Sequence, residues 1–446
     1  MLRFGTDGVR GVALTEVTTE YVCALGAAAA DVLLGAEWLI ARDTRESGAA
    51  LEAALVQGLR ARGQTPVLCG IIPTPALALL SQQRGVPAAM ITASHNPYSD
   101  NGVKIFAAGG TKLTDDVEAR IELELEAVLA GSGVDTFVAA GSPGSVVMHD
   151  ALDQYVDHMV SLFPSGALTG IHVVLDCANG AMSVAAPAVA SALGARVTVI
   201  HAKPNGTNIN ADCGATHPAS LSTAVLNARA DVGLAFDGDG DRVIAVDNHG
   251  HVVDGDRVIA LGALQLKAQG ELTGNTVVVT VMSNLGFHRA MGAAGIDVVA
   301  TSVGDRYVLE ALEAGDHALG GEQSGHVIYR HLATTGDGLL AGLRLLHHVH
   351  TSQRSLTEMA TDVMTTYPQV LVNVRVNERH PDIAAELATE IMSAEARLGG
   401  EGRVLVRASG TEPLVRVMVE AASDSIARES ADALAAVVHA RFGMLH

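Results

Sequence analysis

The sequence predicts an α/β protein of three similar mixed-sheet domains followed by a smaller α+β domain at the C-terminal end. Short Val/Ile-rich runs such as "PAAMITA", "IHVVLDC" and "VGLAFD" alternate with Ala/Leu-rich segments along most of the chain, which is typical of βαβ units. The last segment shows a different order of strand, helix, strand, strand, helix. A length of 446 residues also exceeds what one hydrophobic core covers, so several domains are expected.

Composition changes along the chain indicate where the domains meet. "AAGSPGS" (139–145) is small and rich in Gly and Pro, and "TTYPQ" (365–369) places a proline before a new strand. A less distinct boundary lies near "DNHGHVVDGD" (247–256). The predicted domains are 1–150, 151–252, 253–367 and 368–446.

The overall charge restricts the kinds of partner. A net charge of −20 argues against nucleic acid, because phosphate backbones require clustered basic residues; a small anionic substrate fits if a few cations converge. The most apolar segment carries Asp31 and Glu37, so no membrane span is expected. The first residues lack the apolar core of a signal peptide, and we expect a cytoplasmic protein. Four cysteines without CxxC spacing are expected to be reduced: Cys23, Cys69, Cys177 and Cys213.

The first unusual loop follows the run "AAMITA", where a strand ends at Ser94 in "TASHNP". These residues form turns readily, so an ordinary turn is one interpretation and a reactive hydroxyl is the other. A serine hydrolase is not indicated, because the loop has no G-x-S-x-G elbow and His95 is adjacent in sequence. Lys104 follows in a chain with 25 Arg and 4 Lys. A lysine here indicates a cation that can give up its proton, although chance placement stays open.

The second loop, "DGDGDR", places Asp237, Asp239 and Asp241 directly after a predicted strand. Carboxylates at i, i+2 and i+4 in an extended loop can converge on one cation, and hard oxygen ligands suit Mg²⁺. An EF-hand is excluded because its sixth position requires Gly and is Arg242 here. Without a cation three such carboxylates would repel one another. A magnesium site is therefore predicted.

Two further loops carry groups suited to a sugar phosphate. "GEQSGH" offers Glu322, Ser324 and His326, which can bind hydroxyls or an amine. "RASGTEPLVR" combines hydroxyls, backbone N–H groups and guanidinium groups in what could be a phosphate cradle or an ordinary turn. Its candidate residues are Arg407, Ser409, Gly410, Thr411 and Arg416.

Together, "TASHNP", "DGDGDR", "GEQSGH" and "RASGTEP" resemble the four active-site loops of the α-D-phosphohexomutase family. They occur in the family's order, one in each predicted domain, so the resemblance covers essentially the whole chain. "FGTDGVRG" (4–11) and "RDTRESG" (42–48) are similar to the family's N-terminal active-site segments. The resemblance implies four domains around one central cleft, carrying in turn the phosphoserine, metal-binding, sugar-binding and phosphate-binding loops.

The resemblance also implies a mechanism. Ser94 would be phosphorylated and would transfer its phosphoryl group, with one Mg²⁺ bound by Ser94 and the three aspartates. The resulting 1,6-bisphosphate would turn around and return its other phosphate to Ser94; glucosamine or glucose 1,6-bisphosphate could prime the enzyme. Lys104 is the candidate acid/base. The residues expected to stabilise charge are His95, Arg242 and Arg10.

Within the family, "GEQSGH" and "NGTNINADCGATHP" favour a member that interconverts glucosamine 6-phosphate and glucosamine 1-phosphate for cell-wall precursor synthesis. Gln323 is used only as a marker of this group. A member acting on glucose or mannose phosphates is the alternative. A metal-dependent phosphatase would not need the sugar loop, and a sugar-phosphate-binding protein without activity would not need Ser94, Lys104 and the aspartates together. A homodimer stays open.

Overall fold

The computed structural model describes residues 2–5, 7–131, 145–409 and 413–443. Packing divides the chain into two units, Met1–Met282 with Ile296–Asp362, and Ser283–Gly295 with Val363–His446. Most of the predicted linker at 139–145 lies outside the described residues. Within the described ranges, no helix has both the length and the apolar character that crossing a membrane requires.

The first domain forms a mixed sheet in the order β1-β5-β4-β2-β3-β7, with β6 paired to β5. The central strands β4, β2 and β3 are parallel, while β5 runs antiparallel to β4 and β1. This order places the end of β4, where Ser94 follows, beside β5, which carries Lys104. The elements are β1 (Val9–Val12), α1 (Thr19–Val32), β2 (Glu37–Arg42), α2 (Gly48–Ala61), β3 (Thr65–Ile71), α3 (Thr74–Arg84), β4 (Ala88–Ile91), β5 (Asp100–Ala107), β6 (Thr111–Lys112), α4 (Asp115–Gly131) and β7 (Val146–Val147).

Helices α1 and α2 approach closely because glycines face the contact. A Cβ added to Gly58 would lie 2.0 Å from the backbone oxygen of Cys23, and one added to Gly26 would lie 2.8 Å from that of Leu55. Thr18 begins α1 by accepting a hydrogen bond from the Tyr21 backbone N–H, which satisfies an otherwise unpaired donor. The pair covers a core that includes the fully buried Trp38.

The second domain forms a sheet in the order β12-β11-β10-β8-β9. Strands β9, β8 and β10 are parallel, and β11 returns antiparallel to β10. Parallel strands that are buried on both faces have continuous apolar sequences, and "VGLAF" of β10 is an example. The elements are α5 (Ala151–Ser161), β8 (His172–Asp176), α6 (Met182–Ala192), β9 (Arg196–Ile200), α7 (Ala219–Ala228), β10 (Val232–Phe236), β11 (Val243–Asp247) and β12 (Val252–Val253).

The third sheet has the order β14-β13-β15-β16, in which β15 and β16 form an antiparallel hairpin. The hairpin turn carries "GEQSGH". Helix α9 follows β13 in the chain but belongs to the second packing unit. The elements are α8 (Gly255–Gln269), a 3₁₀ turn (Thr273–Asn275), β13 (Thr276–Thr280), α9 (Leu285–Ala293), β14 (Asp297–Thr301), α10 (Asp305–Ala314), β15 (Leu319–Gly321), β16 (Val327–Tyr329), α11 (Gly338–Ser352) and α12 (Leu356–Val363).

The C-terminal part is an antiparallel sheet in the order β17-β19-β18, packed with helices around its own apolar core. Glu420 on β19 joins α9 to this sheet, since it accepts the Leu285 backbone N–H at 2.9 Å and pairs with Arg403 at 3.1 Å. The predicted α/β class with a smaller α+β segment is confirmed. The elements are β17 (Gln369–Arg375), α13 (Ile383–Glu386), α14 (Ala388–Leu398), β18 (Arg403–Ala408), β19 (Leu414–Glu420) and α15 (Asp424–Phe442).

Candidate active site

Ser94 lies in a loop just beyond the end of β4, and its side chain is directed at the aspartate loop of the second domain. The residue is fully buried, and its Oγ donates to Asp237 Oδ2 at 2.7 Å. Its backbone has φ +52°, a conformation that non-glycine residues adopt uncommonly and often at functional sites. The Ser94 N–H donates to Thr92 Oγ1 at 2.8 Å, so the strained turn is stabilised locally. The hydroxyl is held in one orientation.

Arg45 holds the backbone around Ser94 through hydrogen bonds. The sequence did not single out this residue, although it lies in the segment "RDTRESG". The guanidinium of Arg45 is buried and pairs with Asp43 at 2.9 Å. It donates to the carbonyl oxygens of Ser94 and Asn96, at 2.9 and 2.8 Å. It also donates to those of Pro97 and Asp100. Arg45 therefore fixes the whole "SHNP" turn through its rigid fork of donors.

The aspartate loop follows β10 and brings three buried carboxylates together. Asp237, Asp239 and Asp241 each offer one oxygen within 4.8 Å of the others. Two glycines make this possible. Gly240 has φ +77°, and a Cβ on Gly238 would lie 2.6 Å from the Ser94 carbonyl oxygen, so the two loops pack too closely for a side chain there.

The donor set of this cluster fits a divalent cation. Within the described residues, Asp239 Oδ1 and Asp241 Oδ1 are buried oxygens that accept no hydrogen bond, which is costly unless a cation or another donor reaches them. Burial together with the charges of Asp241 and Asp239 raises the pKa of Asp237 well above its ordinary value. Three buried carboxylates with unused lone pairs match the oxygen coordination that Mg²⁺ takes in proteins. The cluster is an acidic metal-binding triad.

Lys104 on β5 extends its ammonium group into the same cluster. It donates to Asp239 and Asp241, each at 2.8 Å, and lies 2.9 Å from Asp7. Burial alone would lower the pKa of Lys104, but these carboxylates raise it well above its ordinary value. Burial likewise opposes ionisation of Asp241, yet Lys104 holds the pKa of that carboxyl well below its usual range. Lys104 is therefore a protonated group inside the triad.

The other predicted charge-stabilising residues surround Ser94. His95 Nδ1 lies 3.4 Å from Ser94 Oγ, and burial with the charges of Arg242 and Arg10 lowers the pKa of His95 to about 4. Its ring is then neutral near pH 7 and acts as a hydrogen-bonding group. Arg242 follows the triad directly, with Nε 3.9 Å from Asp241 Oδ1, and Arg10 on β1 pairs with Asp7.

The sugar-loop candidates lie on the β15–β16 turn. Glu322 accepts the Gly304 backbone N–H at 3.1 Å and the Ser324 hydroxyl at 3.3 Å. Gln323 turns away toward Asp254, to which it donates at 3.4 Å. This agrees with the use of Gln323 as a marker only, and leaves Glu322 and Ser324 as the polar groups of the turn.

His326 is buried between two acidic side chains. Its Nδ1 lies 3.7 Å from Asp241 Oδ1 and its Nε2 lies 3.6 Å from Asp305 Oδ2. Nε2 also accepts the Gly336 backbone N–H at 3.1 Å, which leaves the ring proton on Nδ1, facing the triad. The backbone of the sugar loop meets that of the metal loop at the Arg242–His326 bridge. His326 therefore contacts a triad carboxylate, while its predicted part in sugar binding stays a prediction.

The phosphate-loop candidates lie within the second packing unit. Arg407 on β18 and Arg416 on β19 are cross-strand partners. Arg416 Nε is buried and has no hydrogen-bond partner among the residues that the structure describes. Burial and the charge of Arg416 lower the pKa of Arg407. Adjacent like charges are unfavourable, and an anion between them would relieve the repulsion. Ser409 directly follows β18; Gly410 and Thr411 lie outside the described residues.

Several residues of the site could not be assigned from sequence. Lys112 bridges Asp7, at 2.6 Å, and Asp305, and so joins the N-terminal segment to α10. The scarcity of lysine that drew attention to Lys104 applies equally to Lys112. Asn210 donates to the carbonyl oxygens of Ser94 and Asn96, at 2.9 and 3.0 Å. It lies in the stretch "NGTNINADCGATHP", which was used above only to distinguish groups of the family.

A buried serine hydroxyl bonded to an acidic triad, a lysine inside that triad and an adjoining turn with polar side chains fit a phosphoryl-transfer enzyme of the phosphohexomutase type. The chain belongs to the phosphoglucomutase/phosphomannomutase family. It matches the α/β/α domains I, II and III of that family over residues 1–137, 153–250 and 254–367, and the C-terminal domain over 371–437.

Individual relatives and solved structures show which members of the family this chain resembles. A phosphoglucosamine mutase from Frankia alni is 50% identical over 454 residues, covering 98% of both chains. Among solved structures, a phosphoglucomutase/phosphomannomutase family protein from Burkholderia thailandensis has a TM-score of 0.80 at 23% identity and covers 98% of this chain and 99% of its own. An N-acetylphosphoglucosamine mutase from Aspergillus fumigatus, solved with GlcNAc-6P and magnesium, has a TM-score of 0.69 at 19% identity, with 98% and 95% covered.

Proposed function

We propose that the protein interconverts glucosamine 6-phosphate and glucosamine 1-phosphate through a phosphorylated Ser94 and a 1,6-bisphosphate intermediate. The observation that carries the proposal is the 2.7 Å hydrogen bond from Ser94 Oγ to Asp237 within the buried triad. The near full-length similarity to a phosphoglucosamine mutase supports the choice of substrate.

The triad residues Asp237, Asp239 and Asp241, with the Ser94 phosphate, would hold one Mg²⁺, which offsets negative charge on the transferring phosphoryl group. The fungal relative was solved with magnesium. The two orphaned carboxylate oxygens support the same assignment. Thr74 Oγ1 donates to Asp239 Oδ2 at 2.6 Å and so fixes the orientation of one ligand.

The chain's own residues position the reacting groups. In the first half-reaction the sugar O1 attacks phosphorus, the bond from phosphorus to Ser94 Oγ breaks, and in net terms the sugar hydroxyl proton passes to Ser94 Oγ. We assign this proton relay to Lys104, whose ammonium group contacts two triad carboxylates. This group gives a proton to Ser94 Oγ and regains one from the sugar hydroxyl, so that Lys104 is protonated before and after the step. In the second half-reaction the 6-phosphoryl group returns to Ser94 Oγ and the proton passes to O6. His95 and Arg242 contact the phosphoryl oxygens, and Arg10 holds Asp7 beside Lys104.

By resemblance to the family, each of the remaining two loops would bind its own part of the sugar phosphate. Glu322 and Ser324 bind the sugar hydroxyls and the 2-amino group, and Arg407 and Arg416 bind the phosphate that is not transferring. Because the bisphosphate turns around, the same guanidinium pair must hold the phosphate of either end in turn. A protonated 2-amino group gains a charge-assisted hydrogen bond to a carboxylate that a 2-hydroxyl lacks.

The test compares kcat/KM for glucosamine 1-phosphate, glucose 1-phosphate and mannose 1-phosphate, and includes the variant Ser94→Ala. We expect glucosamine phosphate to be preferred by at least about tenfold, equivalent to about 1.4 kcal/mol. Ser94→Ala should lose nearly all turnover and the single added phosphate seen by intact mass spectrometry. Ser99→Ala, an exposed serine of the same loop, is the matched control and should keep both.

Two outcomes would contradict the proposal at different levels. Equal or faster turnover of glucose 1-phosphate would assign the chain to the glucose/mannose branch while leaving the Ser94 mechanism intact. Retention of about a tenth of wild-type activity in Ser94→Ala would remove the phosphoserine from the mechanism.

A further inference from the structure

A second group of metal-ligating side chains lies in the second domain, apart from the acidic triad. Asp176 ends β8 and His201 directly follows β9, and these strands are parallel neighbours with Asp176 opposite Ile200. The chain comes back to the same strand ends at Cys213. The backbone N–H of the adjacent Gly214 donates to Asp176 Oδ2 at 3.0 Å. One ligand atom from each of the three side chains lies within 4.8 Å of the other two.

The contact between His201 and Asp176 lacks the alignment of a hydrogen bond. His201 Nδ1 is a buried atom that forms no hydrogen bond in the described part of the chain, although it lies 3.1 Å from Asp176 Oδ2. Two ligand atoms of a tetrahedral zinc ion, each about 2.0–2.1 Å from the metal, lie about 3.3 Å apart. The pair thus has the separation of two ligands that share an ion.

We propose that Asp176, His201 and Cys213 bind a divalent cation of the zinc class, at a site distinct from the magnesium triad. Imidazole nitrogen, thiolate sulfur and carboxylate oxygen are together the donors that zinc takes, whereas Mg²⁺ prefers oxygen ligands alone. Three protein ligands leave a fourth position, which water can fill from the side of His201, whose side chain is 32% exposed.

The surroundings of the three ligands support coordination. Asn179 Nδ2 donates to Cys213 Sγ at 3.9 Å, and the Ala178 N–H donates to Asp176 Oδ1 at 3.0 Å. Such contacts orient metal ligands in proteins. Asp176 Oδ2 accepts one backbone N–H and keeps a second lone pair for the ion. Coordination displaces the Cys213 thiol proton, because only the thiolate is a ligand.

An ion at this position would stabilise the loop that supports Ser94. Asn210, three residues before Cys213, donates through its side chain to the Ser94 carbonyl oxygen at 2.9 Å. Its backbone N–H donates to the Ala178 carbonyl oxygen at 2.9 Å. The site would therefore join the end of β8, His201 and the Asn210 segment into one rigid support. This goes beyond the mutase activity, since none of the three ligands is among the residues assigned to substrate binding or phosphoryl transfer.

Cobalt is the probe that separates this site from the triad. The full-length protein, freed of metal and then held in excess Mg²⁺, is titrated with Co²⁺ while its absorption spectrum is recorded. The triad contains no sulfur, so a sulfur-to-cobalt charge-transfer band reports a cysteine ligand outside the triad. We expect this band to saturate at one equivalent and to disappear when Zn²⁺ displaces Co²⁺.

Two variants and one control decide the assignment. Cys213→Ser should abolish the band, and His201→Asn should weaken Co²⁺ binding at least about tenfold; Asn is chosen because His201 has φ +47°, which Asn tolerates. Cys69→Ser, another buried cysteine, should behave as wild type. Zn²⁺ should raise the thermal midpoint of wild type and Cys69→Ser but not of His201→Asn.

Either of two results would overturn the proposal. One is the absence of a sulfur band in folded wild-type protein, and the other is a band that persists in Cys213→Ser. Should Cys213→Ser fail to fold by circular dichroism, unchanged Co²⁺ affinity in His201→Asn overturns it, because that partly exposed side chain can be replaced without opening a core cavity.

Discussion

Lys104 Nζ lies 2.8 Å from Asp239 Oδ2, and both groups are buried. Removing one partner of a buried ion pair leaves an uncompensated charge and costs about 3–5 kcal/mol. We therefore expect Lys104→Met to lower the thermal midpoint strongly in EDTA, because three aspartates then repel one another. Excess Mg²⁺ should recover part of that loss while activity stays low.

Thermal midpoints with EDTA and with Mg²⁺ provide the measurement for Lys104→Met. Lys267→Met, on helix α8, is a matched lysine control and should respond to Mg²⁺ as wild type does. An Mg²⁺ effect of the same size in Lys104→Met and wild type would show that Lys104 does not balance the charge of the triad.

Arg45 should act on turnover by positioning the Ser94 turn. Arg45→Lys keeps the positive charge, but an ammonium group cannot donate to all the carbonyl oxygens that the guanidinium contacts at the same time. We expect kcat to fall by about 10–100-fold, with a smaller change in KM. Arg62→Lys is the control, because its pair with Asp31 is partly exposed and such pairs contribute about 0–1 kcal/mol. Equal effects on kcat from both substitutions would contradict a positioning role.

Thr74 should set the affinity for the activating metal. Its hydroxyl donates to Asp239 Oδ2 at 2.6 Å, and loss of such a contact typically weakens metal affinity about 10–100-fold. Thr74→Val should therefore require a correspondingly higher Mg²⁺ concentration for half-maximal activity, with near-normal activity at saturation. Thr223→Val, an exposed threonine of α7, should leave the Mg²⁺ titration unchanged. A loss of activity that saturating Mg²⁺ does not recover would argue against this explanation.

The sequence identified the four loops and the α/β class because each depends on local signals. Runs such as "VGLAF" and "TVVVT" became β10 and β13, and glycine and aspartate marked the loop that follows β10. The supports of the site were not predictable in the same way. Arg45 and Asn210 reach Ser94 across 49 and 116 residues. The first contact depends on β2 and β4 being neighbours in one sheet, and the second depends on a loop of the second domain. No local pattern records such a contact.

Asp337 should make stability depend on pH in the mildly acidic range. It accepts the Tyr155 hydroxyl, and burial raises its pKa to about 6 from about 3.9 in unfolded peptides. The folded state therefore retains a proton that the unfolded state has lost. The contribution of Asp337 to the free energy of unfolding is fully present below a pH of about 3.9. It is lost as pH rises through about 6, and the total loss is up to about 2–3 kcal/mol.

Asp337→Asn should remove this dependence of stability on pH. It should keep the helix cap, because Asn caps helices as well as Asp does. The measurement is the thermal midpoint of variant and wild type between about pH 4 and 7, where the variant should gain relative to wild type as pH rises. Asp153→Asn, an exposed aspartate on α5, should follow wild type. Parallel curves for wild type and Asp337→Asn would contradict the raised pKa.

Arg407 should contribute to binding of the phosphate that is not transferring. A charge-assisted contact contributes about 1.5–3 kcal/mol, so Arg407→Ala should lower kcat/KM by about 10–150-fold. The loss should appear with both the 1-phosphate and the 6-phosphate as substrate, because the proposed mechanism uses one guanidinium pair for both. Arg375→Ala, an exposed arginine on β17 of the same sheet, is the control. A defect limited to one of the two substrates would contradict a shared phosphate site.

Glu322 should determine the preference for the amino sugar. Glu322→Gln keeps the shape of the side chain and can still accept the Gly304 N–H, but it removes the negative charge that a protonated 2-amino group requires. We expect kcat/KM for glucosamine phosphate to fall by about 10–100-fold, whereas that for glucose phosphate, which lacks the ammonium, should fall much less. The measurement is the ratio of the two values, with Gln323→Glu as the control, since that side chain faces Asp254. If both substrates lose activity equally in Glu322→Gln, the carboxylate shapes the turn and does not select the amine.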